Sequence, residues 1–220
     1  MSRKRLAFAM FACVQAGLIA AISLLAVALP AIQAEMGFDH VQLTLITAGY
    51  GLAFSGLLIL GGRLGDLFGM SRTFVSGLTV FGLASLAGGF ASSFTFLLAA
   101  RFAQGVGASL TAPAALALAG RLFDDPGERT RALALWGGLS ATGAVTGMLL
   151  SGVIVAALGW RWVFAPPAVM SALALAAFAV LGGHGPVNAR QDAGSFRMRP
   201  LTSARAPAPS PTAPAPQASA

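Results

Sequence analysis

The chain has 220 residues, of which 56% are hydrophobic and only 10% charged, with a mean hydropathy of +0.78; soluble domains carry about 25% charged residues, so a water-solvated globule is excluded. The net charge of +7 is dispersed along the chain in short segments between apolar runs, which argues against nucleic acid as a partner. The single Cys13 can form no internal disulfide, and two histidines with no Ser/His/Asp or metal-ligand cluster leave enzyme chemistry, a metal or a cofactor little to work with.

Residues 6–34, 41–62, 73–100, 102–120, 132–160 and 162–189 contain no Asp, Glu, Lys or Arg. A helix needs roughly 20 apolar residues to cross the ~30 Å hydrocarbon core, so six spans are expected, near 8–32, 42–62, 73–91, 94–118, 132–157 and 163–183. The first follows Arg3-Lys4-Arg5, a start shared with secretory leaders, but its apolar run is too long for a leader's core and further spans follow. Glu35 and Asp39 fall between the first and second spans, and a turn is expected at Ser92-Ser93 between the third and fourth. Lys4 and most of the arginines, among them Arg63, Arg72, Arg121, Arg129 and Arg131, fall on one side, Arg161 on the other, and Arg101 within a span. That asymmetry places both termini in the cytoplasm. Many of the 27 glycines lie inside spans, as at Gly51, Gly56, Gly105, Gly107, Gly143 and Gly147, where small residues let membrane helices approach closely. Trp160 and Trp162 stand at a helix boundary, as interfacial anchors do. The expected domains are a cytoplasmic N-terminus (1–7), a six-helix bundle (8–183) and an Ala/Pro-rich tail (184–220). The tail's composition is too poor in apolar surface to pack; it fits a natural disordered tail or a GC-rich gene read in a shifted frame.

Four segments carry chemistry or geometry beyond hydropathy. Between the second and third spans runs Gly61-Gly62-Arg63-Leu64-Gly65-Asp66-Leu67-Phe68-Gly69-Met70-Ser71-Arg72; Gly62 and Gly69 permit a tight turn, and Asp66 can accept hydrogen bonds from helix N-termini or arginines. The fourth span contains Arg101-Phe102-Ala103-Gln104-Gly105-Val106-Gly107-Ala108-Ser109. Arg101 and Gln104, three apart, share a face. A charge at mid-span costs roughly 2.5–3.5 kcal/mol on insertion scales, so Arg101 must face a cavity or partner, or bond to backbone carbonyls. The fifth span reads Gly143-Ala144-Val145-Thr146-Gly147-Met148-Leu149-Leu150-Ser151-Gly152, a helix-packing motif carried by Gly143, Gly147 and Gly152, and is followed by Gly159-Trp160-Arg161-Trp162-Val163-Phe164. The first span ends Ser23-Leu24-Leu25-Ala26-Val27-Ala28-Leu29-Pro30-Ala31-Ile32.

In this order and on these helices, residues 20–167 resemble the N-terminal six-helix half of major facilitator superfamily transporters, and within them the fourteen-helix drug:proton antiporter branch. Departures are specific: Met70 and Ser71 replace basic residues, Met148 a proline and Ser151 a glycine, while Ala21 and Ala26 stand where an acid and an asparagine are expected. The resemblance implies an all-α integral membrane fold, a major-facilitator-type half of two inverted three-helix repeats. It implies a conformational-gating loop at Gly62, Asp66, Gly69 and Arg72, and a substrate- or proton-coupling role for Arg101 and Gln104. The implied activity is efflux of drugs or small metabolites across the cytoplasmic membrane, without a cofactor. The implied partners are the lipid bilayer, a small-molecule substrate, and a second six-helix half supplied by a homodimer or a separate chain. Two other readings fit a chain of this length: a non-transporting membrane partner that regulates a full-length transporter, and an inactive fragment.

Overall fold

Helix boundaries in this protein are written by capping residues and three glycines. The computed structural model describes residues 3–123 and 125–181; the expected tail at 184–220 lies outside them. Six α-helices follow one another: α1 (Arg3–Met36), α2 (His40–Phe68), α3 (Met70–Gly89), α4 (Phe94–Gly120), α5 (Pro126–Leu158) and α6 (Ala165–Val180), the last preceded by a 3₁₀ turn at Trp160–Phe164. All six spans are long and apolar enough to cross a membrane, the sixth running from the 3₁₀ turn through α6. Asp39 caps α2, accepting from the Gln42 backbone N–H at 2.7 Å while the Gln42 amide returns a bond to the Asp39 N–H. Ser93 caps α4, and Asp125 caps α5 with Pro126 at its first turn. Gly69 and Gly159, at φ +93° and +92°, make the abrupt joints between α2 and α3 and between α5 and the 3₁₀ turn.

Three boundaries differ from expectation for one physical reason. Charge-free stretches locate the hydrocarbon crossing, whereas helices continue through the wet interface. Thus α1 begins at Arg3, α2 runs on to Phe68 and α5 starts at Pro126. The segment 61–72, expected as the loop between the second and third spans, is therefore helical on both sides of Gly69, which alone makes the turn.

Among the inter-helix packings, α1 lies along α5, α2 along α4, and α3 packs on both α4 and α6. Exchanging α1 with α4, α2 with α5 and α3 with α6 converts the first of these pairings into the second and the third into α1 with α6, which also pack. Each repeat crosses the membrane three times, so the second starts on the opposite side and is inverted. Close approach depends on missing Cβ atoms. A Cβ on Gly105 would collide with the Tyr50 carbonyl, and one on Gly107 would lie 2.5 Å from the Phe81 nitrogen. Gly51 and Gly56, by contrast, face open space. One apolar cluster gathers Phe11, Phe74, Phe81 and Trp136; the other, toward the outer ends, gathers Leu24, Ile32, Ile46 and Trp160. Trp160 is thus not an interfacial anchor: it is 1% exposed, and only Trp162 reaches the surface.

Candidate functional site

At the junction of α2, α3 and α4 a chain of polar side chains crosses the apolar interior. Arg101 is 1% exposed, and Gln104 and Ser85 are fully buried. The Arg101 Nη1–H donates to Gln104 Oε1 at 2.7 Å; Gln104 Nε2–H donates to Ser85 Oγ at 2.7 Å; the Ser85 hydroxyl donates to the Phe81 carbonyl at 2.7 Å. On its other side the guanidinium lies over the Tyr50 ring, 4.7 Å from the centroid. The Tyr50 hydroxyl donates to the Leu18 carbonyl at 3.2 Å. Through Gln104 on one side and Tyr50 on the other, the chain of contacts centred on the guanidinium links α4 to α3, α2 and α1. Bonding to a side-chain amide, rather than to backbone carbonyls, is what the three-residue spacing allows.

The charge is incompletely satisfied. Arg101 Nε is buried without a hydrogen-bond partner, and so is Gln15 Oε1. Ala21 is 3% exposed within the apolar cluster, so no carboxylate stands at that position of α1. A guanidinium stays protonated at any working pH. Such a site can hold an anionic or carbonyl group that comes to it, or answer one that changes charge nearby.

The remaining sequence-predicted residues separate into two places. Asp66 and Arg72 are exposed on either side of the Gly69 joint, and Gly62 is partly exposed on α2; Asp66 forms no hydrogen bond or ion pair with any described residue. On α5, a Cβ at Gly143 would run into the Ala16 carbonyl, and one at Gly147 would lie 2.7 Å from that of Ala20. Gly152 has open space beside it; its place in the packing falls to Ser151, whose hydroxyl donates to the Leu24 carbonyl at 2.6 Å.

Residue patterns gave no sign of Ser85 as a partner, because a single serine in a span has no periodicity to betray it. Tyr50 carried a weak signal as the one tyrosine of the chain. At the outer end stands a third group that no residue pattern marks: Glu35 accepts from Trp160 Nε1–H at 2.8 Å and pairs with Arg161, which also donates to the Ala91 carbonyl at 3.3 Å. Opposite charges in two outer segments were visible, but not that they meet.

Residues 11–215 match the family model for the Major Facilitator Superfamily. The chain is 45% identical over 149 residues to the puromycin resistance protein pur8 of Streptomyces alboniger, covering 68% of this chain and 30% of that protein. It is 44% identical over 139 residues to the cephamycin export protein CmcT of Amycolatopsis lactamdurans, covering 63% and 29%. Among solved structures, the peptide transporter POT in complex with sulfate superposes with a TM-score of 0.70 at 21% identity, covering 80% of this chain and 38% of that one. The alignments thus span about 30% of the length of these curated relatives.

Proposed function

This chain belongs to the major facilitator superfamily, and from that premise we propose that it forms the N-terminal six-helix unit of an exporter of drugs or small metabolites in the cytoplasmic membrane. The observation that carries the reading is the buried Arg101–Gln104–Ser85 chain, a charge kept inside the bilayer at a cost that packing alone does not require. Relatives whose names denote antibiotic resistance and export favour the substrate class. Family transporters bind substrate at the midplane between two six-helix units and rock one against the other. The second unit here is a second copy, a separate chain or the continuation of a longer one. Residues on α2 and α5 favour such a neighbour: Leu52, Ile59, Val145, Leu149 and Val153 are all large, apolar and exposed. Gly62, Asp66, Gly69 and Arg72 are proposed to latch the two units in one conformation, through the exposed Asp66 carboxylate.

Membrane vesicles containing the protein should extrude a fluorescent cationic dye, and Arg101→Lys should reduce the rate at least about tenfold at equal protein level, because a single ammonium cannot reproduce the planar fork. Lys keeps the charge, so a loss reports geometry. Wild-type protein that stays monomeric on cross-linking and moves dye no faster than empty vesicles, both alone and co-expressed with the C-terminal six-helix half of a relative, would overturn the exporter reading and leave a regulatory partner or inactive unit.

A further inference from the structure

Outside the Arg101 chain, the feature with the most chemistry is a groove of about 390 Å³ between the outer ends of α3 and α6. Its walls are Leu86 of α3, Phe90 just after that helix and Phe164 of the 3₁₀ turn; Ser85 forms its floor, and Arg161 and Trp162 border it. The floor offers no polar handle, because the Ser85 hydroxyl is already committed to Gln104 and Phe81. All polarity available to a ligand therefore sits with Arg161 and Trp162.

Both retain donors. Arg161 gives Nη1 to Glu35 and Nη2 to the Ala91 carbonyl, which leaves N–H groups of its five unspent. Its side chain is 39% exposed while one face rests on the Trp160 ring, 4.5 Å from the centroid. The Glu35 and Trp160 contacts fix the guanidinium in place, so binding to it orders little that is not ordered already. Trp162 is half exposed, and its indole N–H bonds to no described residue. Phe90 closes α3 and Trp162 lies in the turn opening the sixth span, so the groove's mouth lies at headgroup depth, where tryptophan is favoured. The apolar walls run from there toward the hydrocarbon, on a side of α3 where Leu83 and Leu86 are exposed to it.

We propose that this groove is a phospholipid site, in which Arg161 and Trp162 donate to the phosphate of an outer-leaflet lipid and Leu86, Phe90 and Phe164 receive the upper part of its acyl chain. A soluble anion would leave the apolar walls empty, and a lipid without phosphate would offer the donors only neutral ester and hydroxyl oxygens, which accept more weakly than an anion. Phosphate is the acceptor that suits a guanidinium fork.

The test is native mass spectrometry of the full chain purified in detergent and titrated with dioleoyl phosphatidylglycerol or with dioleoylglycerol, which lacks the phosphate. One phosphatidylglycerol per chain should survive delipidation, with dioleoylglycerol retained about tenfold less. Leu86→Trp, which fills the groove and leaves Arg161 alone, should abolish retention. Arg161→Gln should weaken it about fivefold, and Trp162→Phe about threefold at unchanged helicity. Because Arg161→Gln also frees Glu35, the other two variants decide if it fails to fold. Equal retention of the two lipids, retention unaffected by Leu86→Trp and Trp162→Phe, or cross-links placing a second six-helix unit over the groove would overturn the proposal.

Discussion

Gln104→Leu should destabilise the folded bundle by about 3 kcal/mol, and adding Arg101→Met should recover most of that loss. Hydrogen bonds between membrane helices are individually small, averaging about 0.6 kcal/mol in double-mutant cycles, so the bond itself does not set the scale. What sets it is the orphaned charge. Arg101 is almost fully buried, its Nε is already unpartnered, and Gln104 Oε1 is the hydrogen-bond acceptor seen at its guanidinium. Removing one partner of a buried charge costs about 3–5 kcal/mol, whereas replacing the whole polar set by apolar residues of similar volume is often neutral. The cation–π contact with Tyr50 offsets part of the penalty and places the estimate at the lower end. Ser85→Ala, which leaves Arg101 and Gln104 bonded, should cost only about 1 kcal/mol. Reversible unfolding of the purified chain in mixed micelles would measure all three variants. A double variant no more stable than Gln104→Leu would mean that Arg101 does not depend on the amide, and the site would have to be rebuilt around another partner.

That cycle also separates structure from transport. Arg101→Met with Gln104→Leu should be folded yet inactive, while a merely structural arginine would leave activity in step with stability.

What could be read in advance follows the range of the interactions. Spans were legible because charge exclusion from hydrocarbon acts residue by residue; their ends were not, because a helix outlasts the hydrocarbon and carries Arg3, Asp66 and Glu128 into the interface. Arg101 and Gln104 could be paired because one helical turn joins them. Their links to Ser85, nineteen residues away, and to Tyr50 depend on how α2 and α3 lie against α4, which no local pattern encodes. Trp160 departs from expectation for a related reason. Its position at a boundary is right, but the side chain turns inward to a carboxylate 125 residues earlier in the chain. Composition cannot tell an indole that anchors from one that is buried.

Gly143→Leu should destabilise the protein by about 3 kcal/mol or more, whereas Gly152→Leu in the same helix should change stability by less than about 0.5 kcal/mol. Helical geometry gives the reason. At 3.6 residues per turn, positions 143 and 152 are about half a rotation apart, while 143, 147 and 151 stay on one side. On α1 the matching positions are Ala16, Ala20 and Leu24, also four apart. The contacts pair them rung by rung: Gly143 on Ala16, Gly147 on Ala20, Ser151 on Leu24. Two rungs bring backbone against backbone, so a leucine at 143 meets a carbonyl that cannot step aside; the third closes with a hydroxyl where a glycine would leave a gap. Both sequences rise together, so α1 and α5 run in the same direction, as the inverted repeat demands. The unfolding midpoint and the yield of monodisperse protein would report both substitutions. If Gly152→Leu proved as damaging as Gly143→Leu, the exposed side of α5 would have to be packed against something in the folded state, and that result would locate the neighbour which the apolar face of α5 is proposed to meet.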